Sequence, residues 1–227
     1  MNKWTNTFGM PLYRILCRNI NTTSKNIRDT SYYDIVIAGG GMVGTTLACT
    51  LGKQPKLSSK KILLLEGSPK QDGELKPEYS NRVSSLNPGT RTLLEEIGVW
   101  KHIANARFQP VKKMQVWEGC SDAVITFNYE DMVEDVAYIV ENNVLISAVN
   151  KELEKLMPNV TVQYRAKIKG YQLPHDNNDV RIDLENGSSY FCNLLIGADG
   201  ANSQVRKAMG VQYLTWNYNQ MGVVATL

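Results

Sequence analysis

The stretch Tyr32-Tyr33-Asp34-Ile35-Val36-Ile37-Ala38-Gly39-Gly40-Gly41-Met42-Val43-Gly44 decides the fold. An apolar run passes straight into a glycine turn and then into a helix-forming segment, the layout of a dinucleotide-binding βα unit. In the pattern G-x-G-x-x-G the first glycine makes the tight turn, the second lets the backbone approach a pyrophosphate, and the third lets helix pack closely on strand. Gly39, Gly41 and Gly44 occupy those places. N–H groups in the first helical turn lack intrahelical partners and carry the positive end of the helix dipole, so a diphosphate placed there is held by both.

Working outward, Lys61-Ile62-Leu63-Leu64-Leu65 supplies a second apolar strand that ends in Glu66, 22 residues beyond Gly44. An acid at about that distance accepts hydrogen bonds from a ribose diol. The pattern points to an adenine dinucleotide with a free 2′-hydroxyl and against NADP. A merely tight βαβ turn with a solvated glutamate is the plainer reading of the same residues.

With 227 residues, 43% of them hydrophobic, the chain can bury one large core. The net charge of +3 is unevenly spread. Residues 1–28 hold Lys3, Arg14, Arg18, Lys25 and Arg28 and no acid, leaving 20 basic against 22 acidic side chains elsewhere, a net −2. Thr5, Thr7, Thr22, Thr23 and Ser24 make the same segment hydroxyl-rich, as in a mitochondrial transit peptide over residues 1–29. A tail of that composition with no targeting role is the alternative. Cys17, Cys49, Cys120 and Cys192 form no C-x-x-C pair, so neither a metal site nor a disulfide framework is indicated. His102 and His175 read as surface side chains.

Residues 67–79, rich in Gly, Pro and charge, read as a loop. Asn87-Pro88 opens a helix with Leu93, Leu94 and Ile97 on one face and Gly98 as its stop. Residues 113–117 and 123–127 read as a hairpin, inserted over residues 110–130, that interrupts the βα alternation. Residues 138–140 return as a short strand. Asn142 then caps a helix whose buried face carries Val144, Leu145, Ala148, Val149, Leu153 and Leu156. Residues 160–164, 167–172 and 180–184 read as strands, and Asn186-Gly187 reverses the chain into residues 189–191. These short strands suggest a meander that caps the nucleotide domain.

Leu194-Leu195-Ile196-Gly197-Ala198-Asp199-Gly200 is a second strand-to-loop element, followed by a helix over residues 203–209. Asp199 closes a strand at its carboxyl end, where open α/β sheets place ligands, and a short carboxylate beside a glycine suits a ribitol or ribose hydroxyl. An Asp-Gly turn with Ser203 as a helix cap is the plainer alternative.

Three separated motifs together resemble the FAD-dependent aromatic hydroxylases built like para-hydroxybenzoate hydroxylase. They are Gly39 to Gly44 with Glu66, the segment Tyr79-Ser80-Asn81-Arg82-Val83-Ser84-Ser85-Leu86, and residues 195–206, which match Asp-Gly-x-x-Ser-x-x-Arg. Met114-Gln115-Val116-Trp117, Tyr138-Ile139-Val140-Glu141-Asn142 and Trp216-Asn217-Tyr218 are most similar to members of that family that act in mitochondrial coenzyme Q (ubiquinone) biosynthesis. The resemblance runs from Tyr33 to Leu227.

It implies an α/β fold: a Rossmann-like FAD-binding domain over residues 30–227, with the start of an interleaved β-sheet substrate domain at residues 211–227. FAD is the implied cofactor, its ADP half held by Gly39, Gly41, Gly44 and Glu66. Arg82 would lie along the flavin side, Glu141 would face the cofactor, and Asp199, Gly200 and Arg206 would organise the second fingerprint near the pyrophosphate. The full-length enzyme would hydroxylate the ring of a polyprenylated phenolic substrate at C5. Its implied partners are a ferredoxin-type electron donor and other coenzyme Q biosynthesis proteins, and its place is the matrix side of the inner mitochondrial membrane, peripherally bound. The family's later Gly-Asp and Ala-His motif is absent, and residues 222–227 read as a strand cut before its partners, so a truncated product, an isoform or an incomplete gene model is expected, inactive in hydroxylation as this truncated chain.

No side chain stands out as catalytic, which suits chemistry carried by a flavin while the protein binds, orients and excludes water. Two other classes fit parts of the chain: a non-catalytic binding module of the coenzyme Q biosynthesis complex, and an NAD-dependent dehydrogenase. The latter needs a proton-transferring residue beside the nicotinamide, and no motif here supplies one. Nucleic-acid binding is disfavoured because no basic stripe lies outside the first 28 residues.

Overall fold

The structure, a computed structural model, describes residues 31–70, 75–128, 135–174 and 179–225. Residues 1–29, expected to be a transit peptide, and His175 lie outside them. Strand β1 (Tyr32–Ala38) leads through the glycine turn into α1 (Met42–Gly52), and β2 (Ile62–Leu65) follows. Next come β3 (Val83–Leu86), α2 (Pro88–Glu96), α3 (Trp100–Ala104), β4 (Gln109–Val111), β5 (Lys113–Trp117), β6 (Val124–Asn128) and β7 (Ala137–Glu141). The chain continues through α4 (Asn142–Leu153), β8 (Val160–Gln163), β9 (Ile168–Gln172), β10 (Val180–Leu184), β11 (Ser189–Gly197) and α5 (Gln204–Ala208).

The main sheet has the order β8-β2-β1-β11-β10-β9. Its first four strands are parallel, and β10 and β9 join antiparallel. The unbroken apolar runs of β1 and β2 follow from burial on both faces, since successive side chains of a strand point to opposite sides. Ile35, Ile37, Ile62 and Leu64 pack with Ala48 and Cys49 of α1 and Leu145 and Val149 of α4. Val36, Leu63 and Leu65 pack on the other side with Ala166, Ile182, Leu184 and Cys192. Each fully buried Val, Leu or Ile side chain among them contributes about 1.5–3 kcal/mol.

The meander does not cap this sheet; it extends it. Residues 189–197 form one nine-residue strand, joining two segments that the sequence presents as separate. The strand runs through exposed Asn193 because its ladders to β1 and β10 overlap at Phe191 and Cys192.

Strands β3, β7 and β4 form a second, antiparallel sheet, and β5 pairs with β6 as the expected hairpin. The sequence Val-Ser-Ser-Leu of β3 carries no strand pattern; pairing with β7, Leu86 opposite Tyr138, holds it. Helix α2 starts as expected, Asn87 Oδ1 accepting from Thr90 N at 2.8 Å. Leu94 and Ile97 are buried, but Leu93 is 38% exposed. Leu93 lies about 100° round the helix from Leu94 and falls at the edge of the buried face.

In α4 the cap position belongs to Glu141, with no side-chain cap, while Asn142 Oδ1 accepts from Ser84 Oγ at 2.7 Å. Its buried face includes Glu152, 3% exposed, alongside the expected apolar residues, with Leu156 only partly buried. Glu152 is tolerated there because Lys53 Nζ (2.7 Å), His102 Nε2 (2.7 Å) and Lys155 Nζ (2.5 Å) surround it. Burial alone would raise its pKa, but these bonds outweigh burial and hold the carboxyl well below its ordinary value. His102 is therefore not a plain surface residue. It ties α3 to α4.

Residues 211–225 form no strand, and Leu214, Met221 and Val223 are exposed. A strand there would need a ladder partner for its backbone groups, and none pairs with it among the described residues. No described helix is long and apolar enough to cross a membrane.

Candidate cofactor site

At the carboxyl end of β1 the fingerprint glycines do different jobs. Gly39 has φ +106°, and a Cβ on it would lie 2.3 Å from Ala198 O. A Cβ on Gly44 would lie 1.9 Å from Gly39 O. The first glycine thus turns the chain beneath the Asp199 loop, and the third lets α1 close on the turn. Gly41 is unlike both: φ −70° and ψ −175° suit any residue, and a Cβ would meet no protein atom within 4 Å. Neither strain nor packing asks for glycine there, whereas a group approaching from outside does. Gly40, outside the fingerprint, is fixed by Glu66, whose Cβ and Oε2 would both lie 2.7 Å from an added Cβ.

No side chain caps α1. Its first backbone bond runs from Thr45 N to Gly41 O at 3.0 Å, so the amides before it point out of the helix start. Glu66 accepts from Gly40 N at 2.6 Å and from Ser68 N at 2.7 Å. It borders a cavity of about 200 Å³ whose wall also includes Gly41, Thr45, Ile146, Asn150 and Tyr164. The Oδ1 atom of Asn150 is buried and has no hydrogen-bond partner. A bare helix start, the opening over Gly41 and an unmatched amide oxygen at the cavity wall all fit an adenine dinucleotide.

Ala198 N donates to Ala38 O at 2.7 Å, which sets the Asp199 loop beside the glycine turn. Gly39, Lys167, Tyr171, Asp199 and Gln204 line a second cavity of about 220 Å³. Asp199 Oδ2 accepts from Gln204 N at 2.7 Å and Val205 N at 3.2 Å, while Ser203 Oγ accepts from Arg206 N at 3.0 Å. The plainer reading is present in the structure: Asp199 and Ser203 together cap the start of α5, with Gly200 turning at φ +80°. Burial would raise the Asp199 pKa, but hydrogen bonds from Ser203 and the Val205 and Gln204 amides leave it lowered. Arg206 Nη2 donates to Ala201 O at 2.5 Å, and the guanidinium lies 4.4 Å from the Tyr213 ring centre. It thereby ties α5 to the loop at Ala201.

The second sheet supplies a further wall. Ser84 Oγ approaches Met42 Sδ at 4.0 Å, which sets β3 beside the start of α1. Arg82 is exposed, its carbonyl accepts from Asn142 N at 2.9 Å, and its guanidinium has no partner among the described residues. Glu141, expected to face the cofactor, is 6% exposed and turns into the protein. Its Oε1 accepts from Arg107 Nε at 2.5 Å, and its Oε2 from Arg107 Nη2 at 3.1 Å and Ser80 N at 2.6 Å. The Arg107 bond first, then the Ser80 amide, hold its pKa below the usual value against the effect of burial. Arg107 belongs to no motif, and only the fold brings it here. Among the described residues no group of His, Cys, Asp and Glu is placed to hold a metal.

A family model described as FAD binding domain matches residues 32–227. Over 214 residues the chain is 48% identical to the ubiquinone biosynthesis monooxygenase COQ6, mitochondrial, of Danio rerio, covering 91% of this chain and 43% of that protein. To the Homo sapiens protein of the same name it is 49% identical over 202 residues, 86% of this chain and 43% of the other. The chain thus spans less than half the length of these relatives. Among solved structures, p-nitrophenol 4-monooxygenase PnpA from Pseudomonas putida DLL-E4 has the same fold, with a TM-score of 0.64 at 22% identity over 82% of this chain and 46% of that one. The family match covers the glycine turn, Glu66 and the Asp199 loop in one span. With those residues gathered around the carboxyl ends of β1, β2 and β11, the chain belongs to the FAD-binding domain family, and FAD is its cofactor.

Proposed function

We propose that this chain is the FAD-holding portion of a monooxygenase that hydroxylates the aromatic ring, at C5, of a polyprenylated ubiquinone precursor. The observation that carries the reading is Gly41, a glycine that nothing inside the protein requires, at the uncapped start of α1. The names of the relatives support the reaction class and the pathway. Bound FAD, once reduced, supplies the activation of oxygen for insertion into an electron-rich ring.

This chain's residues bind and orient. The amides at the start of α1 receive the diphosphate, Gly41 makes room for it, and Glu66 accepts from the ribose diol. Arg82 supplies positive charge along the flavin side, where its guanidinium is free to reach an anionic or carbonyl oxygen. Asp199, set by Gly200 and capped onto α5, offers its carboxylate toward a sugar or ribitol hydroxyl, and Arg206 holds that loop in place. The proposed setting is the matrix side of the inner mitochondrial membrane, bound peripherally, with a ferredoxin-type donor and other coenzyme Q biosynthesis proteins as partners. Relatives named mitochondrial support that setting.

The test is expression of this chain in cells that lack the ring hydroxylase, under ¹⁸O₂, with FAD content measured on the purified protein. Flavin bound to the purified chain is expected, and a gain of one ¹⁸O on the precursor's ring would assign turnover to this portion itself. A chain that takes no FAD would overturn the reading.

A further inference from the structure

We infer that Arg107 is a positioning residue for the cofactor: it clamps residues 77–80 so that Arg82 is presented to FAD. The inference rests on the reading above that Arg82 meets the cofactor. Arg107 lies between α3 and β4 and is 24% exposed at its side chain. Its guanidinium donates from Nε to Glu141 Oε1 at 2.5 Å, from Nη1 to Pro77 O at 2.9 Å, and from Nη2 to Glu78 O at 3.0 Å and Glu141 Oε2 at 3.1 Å. The same group lies 4.8 Å from the centre of the Tyr79 ring. A flat fork of donors can serve a carboxylate on one edge and two carbonyls on the other, which a lysine ammonium cannot.

Glu141 completes the frame by taking Ser80 N on Oε2 at 2.6 Å. Residues 77–80 are thereby fixed to the end of β7, and among the described residues no other hydrogen bond ties them to the rest of the fold. From this frame the chain passes to Arg82, whose N–H donates to Ser80 Oγ at 3.2 Å and whose carbonyl accepts from Asn142 N at 2.9 Å. Both sides of the Arg82 backbone are thus set, while its guanidinium stays without a protein partner among the described residues. Two residues on, Ser84 touches Met42 at the start of α1, so the frame ends beside the diphosphate cradle. A charge held at that place by its backbone alone needs a stiff approach, and Arg107 provides it.

The experiment titrates FAD into the wild-type chain and into Arg107→Met, Arg107→Lys, Arg82→Met and the Arg82→Met/Arg107→Met pair, following flavin fluorescence. Amide exchange at Ser80, Arg82 and the β1 strand is read on the same proteins without FAD. Arg82→Met and Arg107→Met are each expected to weaken FAD about tenfold, and the pair also about tenfold, not a hundredfold, because one residue acts through the other. Exchange at Ser80 and Arg82 should accelerate in Arg107→Met while β1 stays protected. Arg107→Lys keeps a cation beside Glu141 but loses the fork, and about a threefold weakening is expected. FAD affinity unchanged in either Arg107 variant, or losses that multiply in the pair, would overturn the inference. A wild-type chain that takes no FAD would overturn the reading of Arg82 instead. In that case rapid Ser80 exchange in the wild type would still sink the clamp on its own.

Discussion

Replacing Gly41 by alanine should separate the fold from its cofactor. With φ −70°, ψ −175° and no atom within 4 Å of an added Cβ, the folded chain accepts the methyl group without strain. The unfolded chain loses freedom, worth about 0.4–1 kcal/mol, but Gly41 is the N-cap of α1 and alanine is a poorer N-cap than glycine by a similar amount, so the FAD-free protein should keep about its wild-type stability. FAD binding is not spared. A phosphate oxygen must come within about 2.9 Å of the amides at the helix start, through the space the methyl group now fills, and FAD affinity should fall at least about tenfold, about 1.4 kcal/mol. Gly44→Ala is the contrasting change, since its Cβ would lie 1.9 Å from Gly39 O. A helix-propensity gain of about 1 kcal/mol cannot offset overlap with a backbone carbonyl, so this variant should lose stability with or without FAD. Thermal unfolding in both conditions, with a fluorescence titration, checks both. Gly41→Ala binding FAD as tightly as the wild type, or losing stability in its absence as Gly44→Ala does, would refute the reasoning.

Glu66→Gln removes the charge and one acceptor while Gly40 N and Ser68 N still need partners; a weakening of FAD by about tenfold is expected in the same titration. Leu64 is fully buried between β1 and the helices. Leu64→Ala should cost about 2–5 kcal/mol in a urea unfolding curve. Glu152 has a folded pKa below its ordinary value of 4.5, so its stabilisation is present above that value and is lost as pH falls toward the folded one. Wild-type melting temperature should therefore drop more steeply than that of Glu152→Gln between about pH 5 and pH 2, and equal slopes would contradict the cluster's role.

The parts legible in the sequence are those where one short stretch dictates its own structure. Gly39, Gly41 and Gly44 follow an apolar strand, Asn87-Pro88 opens a helix, and Asn186-Gly187 closes a hairpin. Contacts between distant segments left no such trace. Strand β3 exists because β7 pairs with it, and β11 is continuous because two ladders overlap on it. Glu152 looks like a surface acid within α4 until α1 and α3 bring Lys53 and His102 to it. At the site the same divide holds: Glu66 was readable from its distance to the turn, but Arg107 reaches Glu141 across 34 positions and belongs to no pattern. The inward turn of Glu141 was hidden for the same reason, since nothing local names its partner.

Strand β11 sits between two neighbours of opposite direction, paired with β1 from Tyr32↔Phe191 to Ala38↔Gly197 and with β10 from Val180↔Cys192 to Asp183↔Ser189. Because side chains alternate every residue, sliding it by one position would carry Asp199 about 3.3 Å along β1 and invert every packed face. It acts as a ruler that measures one cofactor-holding loop against the other. An added residue in the reversal at 185–188 can be absorbed as slack, whereas one added between 191 and 197 would misalign the two loops while leaving the overall content of strand and helix almost untouched.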